Sequence, residues 1–229
     1  MIISHKHKFI FIKTKKTAGT SIEIALSAIC GDKDVITLIE VEDEILRKKI
    51  TDRNFQNIKI PFSKYRFKDW LRFFKNRKRL AFYNHMSAST IKRYVDETVW
   101  SSYFRFCFER EPAAKCISHF KWRSEKKKYE NFKSYLTSSD ISRIIGAYYY
   151  KDKKDNYLVD KVYKMEEMEE AFKDISNKIN VSNDMLKSPK FITKKSKIDA
   201  ALTPEIIKQK YKKILLKKFK TEYEDLYNI

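Results

Sequence analysis

The sequence predicts an α/β layer fold with a mainly parallel central sheet flanked by helices, on three observations. Short unbroken apolar runs such as Phe9-Ile10-Phe11-Ile12 alternate with amphipathic stretches, the pattern of strands buried on both faces and joined by helices. Helix-start signals recur, Thr203-Pro204-Glu205 the plainest of them. Glycine is scarce, three in 229 residues, where average usage of about 7% would give roughly 16, so each glycine is expected to be positional.

The first strand is Phe9 to Ile12, and Lys13 to Gly19 joins it to a helix over Ser21 to Cys30. Thr20 or Ser21 serves as its N-cap, Gly31 as its left-handed C-terminal cap, and Gly19 allows close backbone approach. Val35 to Ile39 reads as a strand, and the charged, aromatic stretch 40–78 as helical in parts. Leu80 to Asn84 reads as a strand and Ser87 to Val95 as a short helix capped by Ser87. The aromatic run Tyr103 to Glu109 is a strand, with Pro112 at the first position of the next helix. Ser139 to Tyr150 reads as helix, Lys161 to Met165 as strand and Glu167 to Ile179 as helix. The Thr203 start opens a long amphipathic helix with Ile207, Tyr211, Ile214, Leu215 and Phe219 on one side. No repeat or Pro/Gly/Ser-rich linker divides the chain, so residues 1–229 are expected to form a single domain.

Fifty Lys+Arg against 30 Asp+Glu give a formal charge of +20, with 42% hydrophobic and 14% aromatic residues to build a core. That composition excludes wholesale disorder. No apolar run approaches the roughly 18 residues of a membrane span. Lys6, Lys8 and Lys13 to Lys16 interrupt any secretion signal, so the expected location is cytoplasmic. Cys30, Cys107 and Cys116 are odd in number and form no CxxC pair, which predicts reduced core residues rather than a disulfide framework or a zinc site. The positive surplus attracts polyanions without choosing among nucleic acid, nucleotide phosphates, acidic polysaccharide and a membrane surface.

In such sheets ligands lie beyond the carboxyl ends of the strands, so the loops after Ile12, Asn84 and Glu109 are expected to converge on one crevice. The first, Lys13-Thr14-Lys15-Lys16-Thr17-Ala18-Gly19-Thr20-Ser21, runs into a helix start. There, backbone N–H groups and the helix dipole favour phosphate, and a lysine adds a mobile point charge. It is not a Walker A loop, because Lys16 precedes the loop's glycine instead of following it. The second loop carries Arg110 at a strand end and Ser118 about two turns into the following helix, a second candidate anion site. The third places His85 between a strand and a helix.

These segments resemble the sulfotransferase families that use 3′-phosphoadenosine 5′-phosphosulfate (PAPS), especially the group of carbohydrate enzymes and their bacterial relatives. That group's 5′-phosphosulfate loop, typically PKTAGTS, is matched by Lys15-Lys16-Thr17-Ala18-Gly19-Thr20-Ser21. Its 3′-phosphate motif, F-x-R-N-P with a later serine, is matched by Phe108-Glu109-Arg110-Glu111-Pro112 and Ser118-His119-Phe120. His85 matches a histidine after the middle strand, Val162 to Glu166 resembles the late strand, and Asp225-Leu226-Tyr227 the closing aromatic. Lys15 stands in place of the usual proline, Glu111 of asparagine, and Ala113-Ala114 of an aromatic-acidic pair. A carboxylate at 111 would repel a 3′-phosphate unless it points away or pairs with a lysine.

The resemblance implies a P-loop-like three-layer fold and sulfuryl transfer from PAPS to a hydroxyl of a carbohydrate acceptor, an anionic glycan included, with no metal. The implied cofactor-binding residues are Lys16, Thr17, Ala18, Gly19, Thr20, Ser21, Arg110 and Ser118, and the implied catalytic residues are Lys16 and His85. Lys16 would meet charge developing on the departing phosphate, and His85, with an ordinary pKa near neutrality, would take the acceptor proton. His119 is a rival base, and Lys194-Lys195-Ser196 a basic cluster able to reach either substrate. Residues 40–78 are expected to be an insertion that shapes the acceptor site. The other classes weighed are a nucleic-acid-binding protein, which lacks an RRM, KH, homeodomain or finger signature, and a P-loop nucleotide kinase, which lacks the Walker A spacing.

Overall fold

The computed structural model describes residues 1–125, 129–182, 185–186 and 202–228. Five strands, β1 (Ile2–Ser4), β2 (Phe9–Ile12), β3 (Val35–Ile36), β4 (Phe104–Glu109) and β5 (Lys161–Lys164), form one sheet in the order β3-β1-β2-β4-β5. β2 pairs parallel with β4, and β4 with β5, but β1 pairs antiparallel with both β2 and β3. The sheet is therefore mixed, not mainly parallel as expected. The cause is β1, at Ile2–Ser4, a strand ahead of the first one expected. Residues 5–8 turn back, with Lys8 in the left-handed region (φ 51°), and set Ile3 opposite Ile10. With β1 on one side of β2 and β4 on the other, no edge of β2 is open to the strand expected at Leu80 to Asn84. That segment makes only an isolated bridge, Ala81 with Lys59.

The helices are α1 (Gly19–Ser27), α2 (Val41–Thr51), α3 (Phe67–Asn76), α4 (Ala88–Tyr94), α5 (Glu97–Ser102), α6 (Pro112–Ser124), α7 (Phe132–Thr137), α8 (Ala147–Tyr150), α9 (Met168–Lys178), α10 (Pro204–Lys218) and α11 (Lys220–Tyr227). Successive strand side chains point to opposite faces, and both faces are covered. Phe9, Phe11, Phe106 and Phe108 pack with Ile22 and Leu26 of α1 and Phe172 and Ile175 of α9. Ile3, Ile10, Ile12 and Cys107 pack with Ile91 of α4, Cys116 of α6, Leu136 of α7 and Leu215 of α10. The result is an α/β arrangement with helices on both sides of the sheet. The three cysteines are buried and unpaired, and no helix among the described residues is long and apolar enough to cross a membrane.

Several local expectations change. The N-cap of α1 is Ala18 in the left-handed region, not Thr20 or Ser21, and no side chain caps the helix. Its C-cap is Ala28 in the right-handed helical region, and Gly31 does not have a positive φ. Gly31 is instead packed against the Lys6 stem, 3.3 Å from where a Cβ would sit. The expected helix Ser139 to Tyr150 is a 3₁₀ segment, Ser139–Ile144, followed by the single turn of α8. Gly146 lies at that break because a Cβ there would fall 1.5 Å from Glu109 Oε2. The Thr203 start holds, with its hydroxyl accepting from the Ile206 N–H at 3.4 Å and Pro204 in the first turn, but α10 kinks at Tyr211 (φ −123°). Residues 40–78 are indeed helical in parts, as α2 and α3.

Candidate functional site

Because β2 and β4 are adjacent and parallel, with Ile12 beside Cys107, the loops that follow them leave the same end of the sheet. The Thr14 hydroxyl donates to the Phe108 carbonyl, and the Thr17 hydroxyl lies 2.9 Å from the Thr14 hydroxyl. This pins the first loop onto β4 and uses the Thr17 hydroxyl inside the loop. Lys16 (φ 63°) and Ala18 (φ 57°) are both left-handed, a tight winding of the kind that turns successive N–H groups inward. With no side-chain cap on α1, the first-turn N–H groups of Gly19, Thr20 and Ser21 open toward the loop, a ready-made anion cradle.

Under the loop lies a closed electrostatic unit. Lys13 Nζ is 2.8 Å from Glu23 Oε2 and donates to Thr20 Oγ1 at 3.2 Å, while Arg47 Nη2 lies 3.2 Å from Glu23 Oε1. All three ionised side chains are buried. Burial opposes the charge on Glu23, yet the Met1 ammonium, Lys13 and Arg47 hold its carboxyl down at about 2. The Lys13 stem also explains Gly19, whose added Cβ would fall 2.8 Å from Lys13 Cγ. Gly19 thus allows the close approach expected of it, and the approaching group is the loop's own lysine.

Lys16 has a different environment. No described carboxylate forms an ion pair with it, and its ammonium sits 5.7 Å from the Trp122 ring centroid. Burial, and next the Arg110 guanidinium, push its pKa below the ordinary lysine value. Arg110 is likewise half-buried and makes no ion pair with a described residue, and its Nε has no hydrogen-bond partner. Burial lowers its pKa while Glu166 and Glu111 oppose the shift. Two cations therefore face each other across the crevice, one from each loop.

Glu111 is engaged at the start of its own helix. Its carboxylate caps α6, accepting from the N–H groups of Ala113 (3.1 Å) and Ala114 (2.8 Å), and also receives the Tyr223 hydroxyl at 3.0 Å. Lys208 Nζ stands 3.5 Å away. An asparagine would cap the same two groups, so the departure at 111 leaves local geometry intact. Glu166 ties the late strand to the closing helix by accepting from the Glu111 N–H and the Tyr227 hydroxyl, both at 3.0 Å. On α6, Ser118 and Trp122 are one helical turn apart and share a face, which brings Ser118 to the side on which Lys16 meets Trp122. His119 is stacked on Trp122 with centroids 5.7 Å apart, and its Nδ1 lies 2.9 Å from the Tyr135 hydroxyl.

His85 is brought to the same end of β2. Its Nδ1 is 3.0 Å from the Lys13 carbonyl, which can only accept, so in the neutral ring Nδ1 carries the proton and Nε2 keeps its lone pair. Burial first, then the Lys13 charge, press its pKa down to about 4. The His119 pKa is also pressed to about 4, by burial and then Lys16. On either side of His85, Tyr83 and Met86 line a cleft of about 740 Å³, together with Arg72, Lys78, Arg79 and Arg93. Its single carboxylate, Asp69, is occupied by the Arg66 N–H and the Tyr94 hydroxyl.

The structure thus gathers the loop residues 16–21, Arg110, Ser118 and His85 around one end of β2 and β4. Lys194-Lys195-Ser196 and Lys126 to Lys128 lie outside the described residues. Sequence reasoning missed Lys13 as the support of the loop, and Trp122, whose spacing of four from Ser118 was the available signal. Among the described residues no cluster of three His, Cys, Asp or Glu side chains could hold a metal ion. Compared with known proteins, the chain matches no family model, curated protein or solved structure.

Proposed function

We propose that the chain is a PAPS-dependent sulfotransferase of P-loop-like architecture, acting on a hydroxyl of a carbohydrate. The observation that carries this reading is the pair Lys16 and Arg110, two half-buried cations without described carboxylate partners, held by the loops of adjacent parallel strands. A nucleotide with phosphate at both ends suits that pair. PAPS supplies the sulfuryl group to be transferred. The N–H groups of Gly19, Thr20 and Ser21 and the Lys16 ammonium meet negative charge at the 5′ end, where preorganised donors stabilise the departing phosphate. Arg110 and Ser118 hold the 3′-phosphate. His85 Nε2 accepts the acceptor proton while the Lys13 carbonyl fixes the ring through Nδ1–H. Bound anionic substrate offsets the Lys13 and Lys15 charges that depress His85, and so raises its basicity. The cleft beside His85, with Arg72, Lys78, Arg79 and Arg93, suits an acceptor that is itself anionic.

The test is calorimetry with 3′-phosphoadenosine 5′-phosphate, ATP and a random oligonucleotide, followed by transfer of labelled sulfate from PAPS to a glycan panel. The expected result is preferential binding of the doubly phosphorylated adenosine, weakened about tenfold or more in Arg110→Ala, and label in an acidic glycan. Stronger binding of ATP, or salt-sensitive binding of the oligonucleotide alone, overturns the reading.

A further inference from the structure

One face of α3 has no described partner. Phe67, Leu71 and Phe74 are spaced i, i+4 and i+7, which puts them on a single stripe, and they are 77%, 54% and 58% exposed. Large apolar side chains scattered singly on a surface are ordinary, but a contiguous stripe marks an interaction site. The stripe is built on a rigid base. Trp70 and Phe73 of the same helix pack against the core, Trp70 stacks on Phe74 at 5.8 Å, and Phe62, itself 38% exposed, stacks on Trp70 at 5.3 Å.

The charge around this stripe is of one sign. Arg66, Lys68, Lys75 and Arg77 lie in or beside α3, all exposed, and none forms an ion pair with a described residue. The one acid of the helix, Asp69, is engaged with the Arg66 N–H and the Tyr94 hydroxyl. An exposed Phe/Leu stripe bordered by Lys and Arg is the composition of helices that lie in the plane of a membrane surface. Basic residues at such a surface are drawn to anionic headgroups. A second copy of the chain fits poorly, because apposed α3 faces would bring these cations together on molecules that each carry +20.

We propose that α3 is a peripheral membrane-docking helix, with Phe67, Leu71 and Phe74 entering the headgroup region of an anionic bilayer and the flanking cations meeting its phosphates. The inference is independent of the transferase reading. It is tested by flotation of the full chain with vesicles of phosphatidylcholine alone and with vesicles of phosphatidylcholine and phosphatidylglycerol in equal amounts. The chain is expected to float with the mixed vesicles only. The triple variant Phe67→Ser/Leu71→Ser/Phe74→Ser is expected to lose about tenfold or more in vesicle affinity while still unfolding cooperatively, its thermal midpoint lowered by the loss of the Phe74 contacts with Trp70 and Phe73. In a Phe67→Trp variant, tryptophan emission is expected to shift to the blue on adding mixed vesicles. The proposal is overturned if the unmodified chain stays with the solution. Equal flotation of the triple variant, which would make the attraction purely a matter of net charge, also overturns it, as does a dimer in sedimentation that the triple variant dissociates.

Discussion

Lys13 and Lys16 lie three residues apart in one loop, and their surroundings are opposite. Lys13 is locked between Glu23 and Thr20 beneath the loop, whereas Lys16 sits at its rim with an aromatic face and another cation for neighbours. The same division recurs after β4, where Lys115 is buried against Glu109 while Arg110, next in the chain to that glutamate, makes no ion pair with a described residue. Each strand end thus pairs one cation for the scaffold and leaves one at the crevice without a described ion pair, with Glu125 acting on Lys16, and Glu166 and Glu111 on Arg110, from a greater distance. Half-buried charge without an ion-pair partner costs stability, and strongly perturbed charges of this kind cluster at functional sites.

The floor and the rim are expected to respond to mutation in different measurements. The largest effect on stability is expected at the floor. Lys13→Ala removes the partner of Glu23 Oε2 while Arg47 and Met1 stay on Oε1, which should cost about 1.5–3 kcal/mol of stability in denaturant unfolding. A loss near zero would mean that Glu23 does not depend on Lys13. Next is His85→Ala, expected to lower turnover roughly 10²–10⁴-fold with little change in unfolding. Its free-enzyme pKa near 4 also fixes a sign. The basic form dominates above that value, so kcat/KM should hold as pH falls through 6.5 and drop only as it approaches 4. An acid limb at 6.5 would assign the base elsewhere, and a limb that survives in His85→Ala would point to His119.

At the rim, Lys16→Ala should lower turnover about 10²–10³-fold and leave the thermal midpoint unchanged or slightly raised, since a cation facing another cation is removed. A lowered midpoint would place Lys16 with the floor. The smallest effect is expected for Glu111→Asn, which keeps an N-cap acceptor and gives up the contact with Lys208. Stability should change by less than about 1 kcal/mol. A large loss would show that the charge, not the cap, is what α6 requires.

Much of this site was legible in the chain because its determinants are local. The four apolar residues of β2, the loop that follows and the proline opening α6 are each contiguous, and contiguous segments reveal strand, cradle and helix start directly. Other parts were not. The expected left-handed cap at Gly31 failed because α1 ends at Ser27, short of it, and the expected cap at Thr20 or Ser21 failed because the left-handed Ala18 starts the helix at Gly19. The strand expected at Leu80 to Asn84 failed because a distant segment, β1, holds the position beside β2.

The sequence by itself determined β2, β4 and β5, the helices α1, α6, α9 and α10 that accompany them, and the residue types delivered to each loop, since hydrophobic periodicity and capping chemistry act over a few neighbours. Only the tertiary structure decided the direction of β1, the pairing of Lys13 with Glu23, the contact of Glu111 with Tyr223 and the arginine-lined cleft reached by Tyr83 and Met86. Each of these depends on groups far apart in the chain meeting where water is excluded, and there partnering or its absence, rather than charge alone, sets what a residue can do.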